Sequence, residues 1–526
     1  MTAADAELQP ALEAIPKPRV RDGIFIAAAV AVGLAVAAFV LIAGRTQLWY
    51  DEANYLVIAQ NIKRIGLPVF YWLPGQPTLF WDSPPGLFYA LSLLPAAILN
   101  TPSLVRAVYA VGAFALIFGP LWYHLRGTIG AWRTIATTAI LAVTTGYLLI
   151  ESIQVRMDLP LAALSFAVLS LVAQVDSSEA RARARDMLLS CLAILALSSL
   201  AYLTKYQAVC LSGALGLWGL TRLLHLRKII PVGLAHVLGM IVAIAVLMAI
   251  SWKFGGSSDT SIPDNFRHNL GRIFSGSQAS GDYQRLWPTL NAVSIKLAIP
   301  AVALAAAMLA GRIRLAQEPL LALCIYLSLM VTAFNLIMFR MPGGGDYYMT
   351  QAAVPLAYIT ARSIGVLVPS GRALMLAVVA AAINLGMSMP LGSDPPQRWS
   401  AGLWAIGSGL TQSDQARAVA DVLKQQLRPG QAVLMDDWQY QAHTLSYWLD
   451  TDAPSGYLLE TQPTEAVRLL GLTGKDQVGA IAFAGSTAIQ TLQSDQWKEV
   501  WKLIAANFVE TPIAGSPDWH VYLRRG

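Results

Sequence analysis

Between residues 22 and 391 one apolar stretch follows another, and this succession constrains the chain more than any other feature. A helix needs about 20 predominantly apolar residues to cross a bilayer. Only helices and closed barrels satisfy their backbone polar groups there. The pattern predicts spans at 23–43, 103–124, 132–150, 157–175, 187–204, 207–224, 231–252, 290–310, 318–339, 347–367 and 372–390. Residues 392–526 have the mixed composition of a soluble domain. They carry 10 Lys+Arg against 14 Asp+Glu, a net −4, while the whole chain carries +6. The positive excess therefore lies in the membrane portion, where loop Lys and Arg set orientation, and no nucleic-acid partner is expected.

The three cysteines, Cys191, Cys210 and Cys324, sit inside apolar stretches without metal-ligand spacing, so neither disulfides nor a cysteine zinc site is expected. The first apolar run, Gly23 to Ala43, is too long for a signal-peptide core and reads as a retained helix. Lys17, Arg19 and Arg21 precede it, which predicts a cytoplasmic N-terminal tail over 1–22.

A twelfth apolar run, 86–99, is shorter and begins after Pro84-Pro85. Charge parity decides whether it crosses. If it does not, Arg126, Arg133, Arg181, Arg183, Arg185, Arg222, Arg227, Lys228, Arg312, Arg314, Arg362 and Arg372 all fall in cytoplasmic loops. If it does, all of them flip outside, against the positive-inside rule. The run 86–99 is therefore expected to lie on or half within the outer surface. The expected architecture is an α-helical polytopic membrane protein of about 11 spans, residues 23–391, with external loops 44–102 and 253–289. The domain 392–526 is then extracytoplasmic.

Five polar groups fall on that outer face. Asp51-Glu52, followed by Tyr55, lies just after the first span. Adjacent carboxylates can serve as general base or hold a divalent cation, or Asp51 can cap a helix over 52–64 with Glu52 favouring its dipole. Asp82-Ser83 precedes the rigid Pro84-Pro85 entry, which equally suits plain helix initiation. Arg156-Met157-Asp158 stands at the mouth of a span. An ionisable residue there is a functional candidate, with capping or a local Arg156 pair as the alternative. Lys205 lies alone between two apolar runs on the side where cations are disfavoured. It would suit a phosphate, or snorkel to the interface. Arg340 adjoins Gly343-Gly344-Gly345, a flexible run that can admit an anion or form a bare loop, with Tyr348 and Pro355 beyond it. The six histidines are scattered and make no ligand cluster.

In residues 392–526 a helix is predicted over 412–427, opened by Ser413-Asp414, and strands over Gln431–Met435, Val478–Phe483 and Trp519–Leu523. The segment reads as an α/β domain. Its acidic character and its aromatic residues fit a glycan- or acceptor-binding surface, a cap over the membrane site, or a scaffold.

Taken in order, these motifs resemble the GT-C superfamily of polyprenyl-phosphate-dependent glycosyltransferases, in particular the branch of protein O-mannosyltransferases and lipid A aminoarabinose transferases. Asp51-Glu52 matches its acidic pair, Ser83-Pro84-Pro85-Gly86-Leu87-Phe88-Tyr89 its Pro-Pro helix, and Arg156-Met157-Asp158 its Arg-x-Asp. Leu203-Thr204-Lys205 matches its Leu-Thr-Lys, and Tyr348 with Pro355 its last helix entry. Ser83 stands where the family has His or Lys, and Tyr206 where it has Gly. The resemblance spans residues 20–390.

It implies transfer of a hexosyl or pentosyl group from a polyprenyl-phosphate donor to a lipid, glycan or protein acceptor at the outer face of the cell's inner (plasma) membrane. Asp51 would be the general base, with Glu52 and Asp158 supporting it. Lys205, Arg340 and Arg156 would face the phosphate, and Asp82, Ser83, Tyr55 and Tyr348 would line the substrate. A divalent cation (Mg, Mn or Zn) on Asp51 and Asp158 is a candidate cofactor. A transporter or flippase of lipid-linked sugars is the competing class. It is expected to show inverted repeats and broken helices near the midplane.

Overall fold

The structure is a computed structural model. It describes residues 31, 33–34, 50–73, 76–79, 86–93, 102–125, 130–144, 148, 155–177, 184–253, 279–337, 349–368, 370–388, 415–436, 441–449, 455–459, 462–473 and 477–525. Asp82, Ser83, Arg340 and Tyr348 lie outside them, as does nearly all of the expected span 23–43.

The first helix with described bounds is α1 (Tyr50–Ile65), closed by Gly66 at φ +76, whose N–H donates to the Ile62 carbonyl at 2.7 Å. A left-handed residue is needed to turn the chain there, and glycine takes that conformation without penalty. The hairpin β1 (Val69–Leu73) and β2 (Gln76–Leu79) follows, then the short α2 (Gly86–Ser92). Next come α3 (Pro102–Leu125), α4 (Ala131–Thr144), α5 (Asp158–Ser177) and α6 (Ala184–Thr204). After a one-turn 3-10 helix at Tyr206–Ala208 come α7 (Val209–Thr221), α8 (Leu226–Lys253), α9 (Ala279–Leu309), α10 (Pro319–Ile337), α11 (Thr350–Leu367) and α12 (Ser370–Ser388).

Helix α5 is the axis of the bundle. Its 20 residues are apolar almost all round, the signature of a helix covered on every side. At 1.5 Å per residue it is about 30 Å long, the thickness of a bilayer core. It packs against α3, α6, α10 and α11. Phe166, Leu169 and Val172 on α5 meet Ile117, Leu121, Leu327 and Tyr358 in the main core. The outward residues of α8, among them Leu234, Ile241, Met248 and Trp252, stay exposed and form a lipid-facing surface.

Among the described residues five helices are long and apolar enough to cross a membrane: Pro102–Leu125, Asp158–Ser177, Arg185–Thr204, Leu223–Lys253 and Pro319–Ile337. The chain is a multi-pass membrane protein. Helices α4 and α7, of 14 and 13 residues, overlap the expected spans 132–150 and 207–224. The expected run 86–99 holds α2, and its residues 94–99 lie outside the described ones.

Beyond the bundle, a helix over 415–426, α13, leads into β3 (Ala432–Asp436), α14 (Gln441–Leu449), β4 (Ser455–Tyr457), α15 (Pro463–Leu470), β5 (Val478–Ala484), α16 (Thr487–Leu492), α17 (Lys498–Asn507), β6 (Phe508–Glu510) and β7 (Trp519–Arg524). The strands form one sheet in the order β4-β3-β5-β7-β6, parallel at β4, β3 and β5 and antiparallel beyond. Strand β5 is a continuous apolar run, and β3 is one up to its terminal Asp436; both are buried throughout, as suits parallel strands covered on both faces. Leu434, Ile481 and Phe483 pack on α15 and α17. Val433, Met435 and Ala482 face the other way, into a cluster that holds Ala416, Val419 and Leu445 of α13 and α14 together with Ala53, Leu56 and Ile58 of α1. Helix α1 is thus seated between the sheet unit and the bundle. Burying Leu56 or Ile58 there contributes roughly 1.5–3 kcal/mol each. Gln60 Nε2 also donates to the Tyr447 carbonyl at 3.4 Å.

Candidate functional site

Three of the motifs singled out in the sequence, those of Glu52, Arg156-Met157-Asp158 and Lys205, converge at the N-terminal end of α5. Asp158 is its first residue and is 3% exposed. Leu161 N–H donates to the Met157 carbonyl at 3.1 Å, closing the first turn. Pro160 sits inside that turn, where a missing N–H costs nothing.

Asp158 Oδ1 accepts a hydrogen bond from Lys205 Nζ at 2.5 Å, and Arg156 Nη2 lies 4.0 Å from Oδ2. Lys205 is the single extended residue, φ −158 and ψ 141, between α6 and the 3-10 turn. Its N–H donates to the Ala201 carbonyl and its carbonyl accepts from Ala208 N–H, which fixes the corner on both sides. Its side chain keeps 17% exposure, so the ammonium is held but reachable.

Glu52 joins the same end from α1. It is fully buried. Arg106 of α3 donates from Nε to Oε1 at 2.7 Å and from Nη2 to Oε2 at 2.6 Å, and Val155 N–H donates to Oε1 at 3.0 Å. A bidentate arginine–carboxylate fork is both strong and orientation-specific. Glu52 therefore ties three pieces together: the helix that carries Asp51, the start of α3, and the segment 155–158. Asp51 lies in the first turn of α1, which begins at Tyr50, one residue ahead of the capping position expected for it. The placement of its side chain is outside what the structure describes. Tyr55 is half-buried one turn on and packs against the apolar cluster of α1 and the sheet unit.

Gly86 explains the motif that precedes α2. A Cβ on it would lie 2.5 Å from the Leu203 carbonyl oxygen and 2.6 Å from Leu203 Cβ, closer than real contacts allow. The entry to α2 thus rests directly on the backbone two residues before Lys205. Tyr89 OH donates to the Gly66 carbonyl at 3.1 Å and Asn61 Nδ2 to the Val69 carbonyl at 2.9 Å, which lock α1, α2 and the hairpin together.

The structure thus brings Glu52, Arg156, Asp158 and Lys205 to one end of α5. Arg106 is the member that sequence reasoning passed over. Its signal was of the kind that singled out Lys205, a lone cation at the end of an apolar run. Four of the basic residues assigned to cytoplasmic loops, Arg133, Arg222, Lys228 and Arg362, gather at the opposite end. Asp176 Oδ2 accepts from Arg222 Nε at 3.1 Å, and Lys228 Nζ donates to the Asp176 carbonyl at 2.5 Å. Arg362 pairs with Glu318 nearby in the chain's contacts, and Arg133 Nη2 donates to the Gly365 carbonyl at 2.6 Å.

Glu52 and Arg106 pair at this end of α5. Arg156 and Lys205 both face Asp158, and two cations side by side suit an anion with delocalised charge. Among the described residues no group of three or more His, Cys, Asp or Glu side chains could hold a metal. Asp158 already faces two cations, an environment that repels a divalent ion, so no step is derived through one.

No protein-family model matches the sequence, and no curated protein matches it. Solved structures do. ArnT from Cupriavidus metallidurans bound to undecaprenyl phosphate is similar at TM-score 0.59 and 13% identity, over 95% of this chain and 97% of that one. The same protein in the apo state gives 0.56 and 14%, over 94% and 97%. The Archaeoglobus fulgidus oligosaccharyltransferase in complex with Zn and sulfate gives 0.45 and 12%, over 93% and 73%.

Proposed function

On the premise that this chain has the GT-C fold, we propose that it is a membrane glycosyltransferase that moves a sugar from a polyprenyl-phosphate donor to an acceptor hydroxyl or amine at the outer face of the cytoplasmic membrane. The observation that carries this reading is the Lys205–Asp158–Arg156 cluster, two cations around one carboxylate at the N-terminal end of α5. The undecaprenyl phosphate bound by the similar ArnT supports the donor class.

The acceptor O–H or N–H attacks the anomeric carbon. The bond from that carbon to the phosphate oxygen breaks, and polyprenyl phosphate leaves with the electron pair. Asp51 takes the acceptor proton. The phosphate gains negative charge as it departs, and preorganised cations stabilise that change. In this reading Lys205 and Arg156 supply them, with Arg340 as a third. A β-linked donor gives inversion by this route. Asp158 holds Lys205 in place, and Glu52 acts as a positioning residue through Arg106 and Val155. The donor's lipid chain stays in the bilayer beside the bundle. The N-terminus is cytoplasmic, and the sheet unit, 392–526, sits outside over α1.

A transporter of lipid-linked sugars would concentrate polar groups near mid-bilayer. The ion pairs grouped at the two ends of α5 favour the transferase. The test is a transfer assay with reconstituted protein and labelled polyprenyl-phosphate sugars. Release of polyprenyl phosphate together with a glycosylated acceptor is expected. Transport of the intact donor without cleavage overturns the reading.

A further inference from the structure

Three membrane helices meet around a polar chain that the proposed reaction does not use. His236 on α8 is buried, and both its ring nitrogens are engaged. Nδ1 is 2.9 Å from Ser198 Oγ on α6, and Nε2 is 2.7 Å from Ser212 Oγ on α7. Ser212 Oγ in turn hydrogen-bonds Tyr202 OH on α6. The Tyr202 and His236 rings lie 6.0 Å apart, tilted by 47°.

The geometry of this chain is specific. Ser198 and Tyr202 precede Lys205 by about two turns and one turn. Ser212 follows it by about two. The chain therefore crosses the two arms of the corner whose apex is Lys205. Helix α8 is itself fixed against α6. Ser199 Oγ donates to the Gly239 carbonyl at 2.9 Å, and a Cβ at Gly239 would lie 2.6 Å from the Leu195 carbonyl oxygen. His236, one turn before Gly239, is thus a peg held by one arm that reaches the other. At membrane depth no water replaces a broken bond, so an alternative packing would leave several polar groups unsatisfied.

We propose that His236 is a positioning residue for Lys205: by bridging Ser198 and Ser212 it sets the angle between α6 and α7, and so places the ammonium against Asp158. The role in turnover rests on the glycosyltransferase reading above; the placement of Lys205 does not.

The test uses full-length protein in liposomes and reductive methylation of lysines, followed residue by residue by mass spectrometry. His236→Leu removes both bonds, and His236→Gln keeps one donor and one acceptor. In His236→Leu, Lys205 is expected to methylate roughly five- to tenfold faster than in the parent protein, the scale of a typical contact coupling. Lys63 and Lys253 serve as internal references and keep their rates. His236→Gln is expected within about twofold of the parent. If His236→Leu does not fold, Ser212→Ala carries the same expectation. An unchanged Lys205 rate in the folded variant overturns the proposal, as does a uniform rise at all three lysines, which marks general loosening.

A transfer assay separates this proposal from the reading beneath it. Against a Lys205→Met background, His236→Leu is expected to cost no further activity, whereas in the parent it lowers kcat more than it raises the donor KM. Independent, additive losses overturn the link to Lys205. A parent protein with no transfer at all removes the glycosyltransferase reading and leaves the methylation result to decide the placement.

Discussion

Glu52 and Arg106 face each other through two parallel hydrogen bonds of 2.7 and 2.6 Å, with neither side chain more than 1% exposed. Breaking such a pair from one side leaves a buried charge alone and costs roughly 3–5 kcal/mol. Arg106→Met is expected to lose that much in thermal or denaturant unfolding. Adding Glu52→Gln, which removes the orphaned charge and still accepts from Val155 N–H, is expected to recover part of the loss. Stabilities that simply add would show that the two residues act independently.

Lys205 and Asp158 act as one unit in the proposed site. Lys205→Met removes a cation aimed at the departing phosphate, and losses of roughly 10²–10³ in kcat follow removal of one such donor. Asp158→Asn keeps the shape but releases Lys205, so it is expected to reduce turnover as well. The double variant is expected to be little worse than Lys205→Met. Full activity in Lys205→Met would remove this lysine from the phosphate site.

Much of this arrangement was legible in the sequence, and the reasons are local. Apolar length reveals α3, α5, α6, α8 and α10, because crossing a bilayer sets a minimum run. The strands Ala432–Asp436, Val478–Ala484 and Trp519–Arg524 stand where apolar runs between turn residues place them. Asp158 and Lys205 are visible as ionisable residues where the membrane disfavours them. Arg106 obeys the same logic, but it lies inside a run long enough to mask one charge. What the sequence hides is contact between distant segments. Nothing near His236 announces Ser198 and Ser212, and nothing near Gly86 announces Leu203. Those relationships exist only after the helices pack.

In the proposed mechanism Asp51 is the general base, so its replacement bears most directly on that proposal. Asp51→Asn keeps its size and its place in the first turn of α1 while removing the basic carboxylate. Turnover is expected to fall by roughly 10²–10⁴, the contribution of a positioned general base. Unfolding is expected to change little, because Glu52 holds the helix to Arg106 and Val155. Wild-type transfer by a well-folded Asp51→Asn protein would assign the base elsewhere.

Gly86 offers a test of how the outer segments bear on the site. Alanine there places a Cβ 2.5 Å from the Leu203 carbonyl oxygen, and backbone cannot swing aside as a flexible side chain can. Overpacking of this kind costs roughly 1–3 kcal/mol. The strain falls two residues before Lys205, so Gly86→Ala is expected to lower both stability and transfer. Gly119→Ala in α3 is the matched control. No atom lies within 4 Å of a Cβ at that position, and removing a helical glycine is stabilising by up to about 1 kcal/mol. A Gly86→Ala protein as stable and active as the Gly119→Ala control would mean that α2 does not rest on the Lys205 corner.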